Sequence, residues 1–66
     1  MEYSNRVIRE VIGDCIHLAR DREILCSRLI DGTTIEKLAE IFDMSTSQIK
    51  RIIRKNEPVI FRNYPK

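Results

Sequence analysis

Residues 33–53, TTIEKLAEIFDMSTSQIKRII, carry two helical patterns with almost no chain between them. Each pattern opens on a capping signature. Thr33 with Glu36, and Ser45 with Gln48, fit the S/T-x-x-E/Q box, in which the cap hydroxyl and the third side chain each satisfy an amide at the helix start. The spacing predicts one helix from Thr33 through Phe42 and another from Ser45 to about Lys55, with only Asp43 and Met44 intervening. Two helices joined so tightly must diverge sharply, which is the geometry of a helix-turn-helix over residues 34–55. Leu38 and Phe42 face inward from the first helix, and Ile49, Ile52 and Ile53 from the second. Ala39 is small where the backbones cross, and Met44 fills the corner.

Two further helical patterns precede this motif. After Ser4, a residue suited to N-capping, Val7, Ile8, Val11, Ile12, Cys15, Ile16 and Ala19 recur at three- and four-residue steps, which predicts one apolar-faced helix interrupted by Gly13. A second begins near Asp21, with Asp21 as its cap, directs Ile24, Leu25, Leu29 and Ile30 to the core, and ends at Gly32, which accepts the positive φ of a helix C-terminus. Pro58 is expected to stop the last helix, because it has no amide to continue the ladder. The remaining tail, residues 57–66, places Val59, Ile60 and Phe61 in a row, and an exposed apolar run is a liability that folding back over the core would relieve. A strand against a second copy, or a path along a nucleic acid, are the other two readings of that tail.

At 66 residues the chain supports one domain, and one of this size buries only about 60% of the surface exposed when unfolded. The expected fold is all-α: a small bundle of three to four helices that contains the helix-turn-helix and ends in a short tail. Nothing at the N-terminus resembles a signal peptide, and no apolar stretch approaches the roughly 20 residues that span a bilayer, so a cytoplasmic protein without membrane partners is expected. Cys15 and Cys26 show neither CxxC spacing nor neighbouring histidines, which excludes a zinc-binding pattern, and they are expected to be reduced. No cofactor is expected.

Charge separates the chain into two parts. Residues 1–43 hold six basic and nine acidic side chains, residues 44–66 six basic and one acidic. No acid lies between Met44 and Asn56, whereas an ordinary solvated helix mixes both signs to gain i,i+4 pairs. The second helix of the motif therefore carries Lys50, Arg51, Arg54 and Lys55 on its outward side, an electrostatic footprint for a polyanion. A helix-turn-helix presents its second helix to the DNA major groove. Ser45, Thr46 and Ser47 stand at the helix start, where free amides and the dipole favour a phosphate or base edge. Lys50 and Arg51 follow one turn later, suited to guanine or phosphate, while Arg54 and Lys55 hold the backbone. Catalysis finds no support, because His17 is unaccompanied and no serine has the His and Asp partners a hydrolase requires.

Arg22-Glu23-Ile24-Leu25, then Gly32, Ala39, Ser45, Ile49 and Lys50 resemble the C-terminal promoter-binding region, region 4, of bacterial sigma factors, with the extracytoplasmic-function group nearest in spacing. The similarity covers about residues 21–56. It implies a DNA-binding fold of about four helices in which the helix starting at Ser45 reads a promoter element, with Thr46, Ser47, Lys50 and Arg51 on the contacting surface and Arg54 extending it. Double-stranded DNA is the implied partner, with RNA polymerase and a second copy of the chain as further candidates. Asp43 stands where the family pattern has Gly, and Thr46 and Ser47 replace longer side chains, so the family's sequence preference does not transfer. These 66 residues hold no counterpart of the domain that melts the promoter start, so the chain is expected not to act alone as a sigma factor. The rival reading is a module that docks on polymerase or another regulator without touching DNA.

Overall fold

A computed structural model describes residues 4–64. Four helices occur among them: α1 (Asn5–Cys15), α2 (Ala19–Leu29), α3 (Ile35–Phe42) and α4 (Thr46–Arg62). All four contribute to one core, in which Ile12, Ile24, Leu25, Leu38, Ile49 and Ile60 are fully buried. Ile8 and Val11 of α1, Ile16 just beyond it and Ile53 of α4 complete it, so the all-α bundle expected from the periodicity is the fold observed.

The first helical pattern ends earlier than its periodicity suggests. α1 stops at Cys15, and Ile16 turns to an extended conformation, φ −106° and ψ 118°, while remaining buried. Ile16, His17 and Leu18 form a corner, and Ala19 already belongs to α2. The cause lies six residues on. Arg22 donates from Nε to the Ile16 carbonyl at 2.7 Å and from an Nη to the His17 carbonyl at 2.8 Å. An apolar residue can keep its place in the i, i+3, i+4 pattern and enter the core from a loop, which is why the count ran past the helix end. Gly13 is not the break: it lies within α1, and a Cβ there would meet nothing within 4 Å.

Two capping assignments shift. Leu18, not Asp21, occupies the N-cap of α2, and Asp21 sits in the first turn, where its carboxylate opposes the positive end of the dipole. Thr34, not Thr33, caps α3, its hydroxyl accepting from the Lys37 amide at 3.2 Å. Thr33 is occupied by the preceding corner. Gly32 takes φ 71°, the Thr33 amide reaches back to the Ser27 carbonyl at 3.1 Å, and the Thr33 carbonyl accepts from Arg28 at 3.0 Å. Ser4 does stand at the N-cap of α1, yet its side chain makes no capping bond.

α4 does not stop before Pro58 but runs through it to Arg62. Proline deprives the Arg54 carbonyl of its helical donor and costs about 3 kcal/mol in a helix interior. Complete burial of Ile60 recovers about 2 kcal/mol of that, and it is available only if the helix continues. The Asn63 amide and side chain then close the end, the side chain donating to the Val59 carbonyl at 2.8 Å. Of the run Val59-Ile60-Phe61, Ile60 enters the core from within the helix while Phe61 stays exposed, so the run does not fold back as a tail. Beyond it, the Ser4 amide donates to the Tyr64 hydroxyl at 2.8 Å, joining the start of α1 to the end of α4. Pro65 and Lys66 of the expected tail lie outside the described residues.

Candidate nucleic-acid interface

The corner between α3 and α4 is built from local chemistry. Asp43 adopts φ 53° and ψ 49°, the left-handed conformation. The Met44 amide then bonds the Ala39 carbonyl at 2.9 Å and the Asp43 amide approaches the Glu40 carbonyl at 3.4 Å. That pair of bonds is a Schellman motif with Asp43 in the place usually taken by glycine, and Met44 packs against the core beyond it. Asp is among the few non-glycine residues that visit this region with modest penalty, because its short side chain can hydrogen-bond locally.

One residue later the expected capping box is present in both halves. The Gln48 amide donates to Ser45 Oγ at 3.1 Å, and the Ser45 amide donates to Gln48 Oε1 at 2.9 Å. Helix direction is thereby fixed at its first turn, and Leu38 of α3 and Ile49 of α4, both fully buried in the one core, hold the two helices together. Ala39, Phe42 and Ile52 are half-buried around them.

With Ile49, Ile53 and Ile60 directed to the core, the opposite side of α4 faces solvent. Ser45, Thr46, Ser47, Lys50, Arg51, Arg54 and Lys55 are all exposed. Ser47, Lys50, Arg51 and Arg54 surround one shallow depression. Lys55 stands apart from it, on a groove shared with Ile16, His17, Leu18 and Asp21 from the α1–α2 corner. None of the four cations pairs with a carboxylate among the described residues, although Glu57 lies on the same helix. Arg28 is a cation that the sequence reading did not place here. It lines a groove with Lys50 and Arg54 while bonding the Thr33 carbonyl, a neighbour relation that no spacing within one helix discloses.

Outside this face, the titratable groups show little organised chemistry. No group of three His, Cys, Asp or Glu side chains is placed to hold a metal among the described residues. Both cysteines are free. Burial pushes the Cys26 thiol above its ordinary pKa; Arg9 opposes that rise, and Asp31 and Glu23 add to it. No described helix is long and apolar enough to cross a membrane.

Comparison with known proteins agrees with this geometry. The family model for sigma-70 region 4 matches residues 19–55, which include α2, α3 and the first part of α4. Neither a curated protein nor a solved structure matches the chain. Region 4 domains are helix-turn-helix modules that bind DNA and RNA polymerase. The matched segment contains the whole α3–α4 corner and the exposed basic start of α4, and the chain belongs to the sigma-70 region 4 family.

Proposed function

We propose that this protein is a small sequence-specific DNA-binding regulator of transcription, from a bacterium or a mobile element, acting in the cytoplasm. The N-terminal half of α4 enters the major groove. Thr46 and Ser47 approach base edges or a phosphate at the helix start. The Ser45 oxygen is already engaged as a cap acceptor, so its part is to aim the helix, with its hydroxyl proton left to donate. Lys50 and Arg51 contact guanine or phosphate, Arg54 holds the backbone, and Lys55 lies at the edge of the face. The observation that carries this reading is a face of four cations without carboxylate partners on a helix whose direction is set by a complete capping box.

Four phosphate contacts give a slope of log affinity against log salt of about −3 to −4. Selection of bound sequences from random duplex DNA, followed by titration over salt, tests both parts of the proposal. A consensus with a slope of that size is the expected result; no enrichment at low salt would overturn it. The double variant Lys50→Glu, Arg51→Glu separates DNA binding from docking on RNA polymerase. It is expected to abolish DNA binding, whereas a module that only docks on polymerase keeps its partner and shows no DNA binding to lose. A single module of this kind buries about 600–1,000 Å² on DNA, so useful specificity calls for a second copy or a polymerase partner. Within the row Val59-Ile60-Phe61, Ile60 is taken up by the monomer core and Phe61 is the member left exposed for a second copy.

A further inference from the structure

The family match ends at residue 55, yet α4 continues for two more turns to Arg62. On a wheel of 3.6 residues per turn, Arg51, Lys55 and Arg62 fall within about 40° of one another, forming one row along the helix. The adjacent row, Lys50, Arg54, Glu57 and Phe61, contains an acid. The row ending at Arg62 contains none, and Pro58 lies between the two. Arg62 is exposed and has no carboxylate partner among the described residues. Its position is nevertheless fixed, because Ile60 is fully buried on the other side of the same turn and Tyr64, two residues on, meets the Ser4 amide.

We infer that Arg62 is a phosphate-binding residue that carries the polyanion-binding face of α4 past the segment shared with the family, so that Arg51, Lys55 and Arg62 follow the DNA backbone as one row. The inference rests on the DNA-binding reading above. From Arg51 to Arg62 the helix rises about 17 Å, more than the roughly 12 Å width of the major groove, so the far end of the row meets the rim, where the phosphates lie. Long recognition helices in related motifs likewise meet the backbone with their C-terminal ends. Continuation of α4 through a proline therefore serves two purposes: Ile60 closes the core, and Arg62 is brought into line with Arg51.

The test compares the full chain with its Arg62→Gln variant on duplex DNA over a range of salt, with thermal unfolding measured alongside. One lost phosphate contact lowers the magnitude of the salt slope by about 0.9 and weakens binding about eightfold at 0.1 M salt, equally on all sequences. That result supports the inference. An unchanged slope in a variant that is merely less thermally stable would overturn it, and would assign Arg62 to the helix dipole alone. Salt-independent binding by the parent chain is a different outcome, because it removes the DNA-binding reading and this inference with it.

Discussion

The molecule turns two of its corners by opposite means. Between α3 and α4 every stabilising group comes from within a few residues: the left-handed Asp43, the Met44 amide on Ala39, and the reciprocal bonds of Ser45 and Gln48. Between α1 and α2 no side chain caps the start of α2, because Leu18 at its N-cap has no side-chain acceptor to offer. That corner is held instead by a long side chain of α2, Arg22, whose guanidinium gathers two successive carbonyls five and six residues back. A locally capped corner sets an angle from its own residues, whereas a clamped corner depends on the helix that follows it. The local one is the corner that aims the basic helix.

Substitutions can separate the two designs. The largest effect is expected at the clamp. Arg22→Ala leaves the Ile16 and His17 carbonyls to water and removes two charge-assisted bonds, and the loss of stability should be about 2 kcal/mol, measured by urea unfolding. Arg22→Lys should recover little, because a single ammonium lacks the planar fork that bridges both carbonyls. If alanine at this position is harmless, the α1–α2 corner is held by the burial of Ile16 alone, and the contrast drawn above fails.

Next in size is the cap. Ser45→Ala breaks one half of the box and should cost about 1 kcal/mol. It should also weaken DNA binding, because the first turn of α4 loses its anchor, while Arg22→Ala should affect DNA binding only through the folded population. Urea titration and DNA titration of both variants decide the matter: parallel losses in the two assays for both substitutions would mean that the corners are energetically one unit.

The smallest effect is expected at the turn. Asp43→Gly relieves a left-handed residue of its Cβ, worth about 1 kcal/mol or more in the folded state, but it also loosens the unfolded chain, so the net gain should be a few tenths of a kcal/mol. A marked destabilisation in thermal melts would instead show that the Asp43 carboxyl contributes to the turn.

The contrast also explains what could be read from the sequence. The Ser45–Gln48 box was legible because its partners are three residues apart, and the inward set Leu38, Ile49 and Ile53 because helical period places them. Thr34 was displaced by one position because Thr33, equally suited by type, had been drawn into the Gly32 corner by bonds to Ser27 and Arg28. The first helical pattern runs on to Ala19 because Ile16 keeps the apolar spacing while leaving the helix, and the residue that holds the corner, Arg22, carries no local signature of its role. Pro58 misled in the same way. The rule about proline is local, and the benefit that outweighs it, Ile60 in the core, is tertiary. Of the candidate interface, the row of cations was visible as a charge run, whereas the approach of Arg28 to Lys50 and Arg54 required three helices to be in place.

The bond between the Ser4 amide and the Tyr64 hydroxyl brings the two boundaries of the described domain to a single point. That point lies beside the C-terminal end of α4, and the 17 residues of the helix place its capped start about 25 Å away. A connection made beside Ser4 or Tyr64 therefore leaves the molecule at the end of α4 opposite its capped start. On the DNA-binding reading proposed above, that connection emerges beside Arg62 and the phosphates it meets, so whatever is attached there stands at the rim of the groove and away from the capped start of α4.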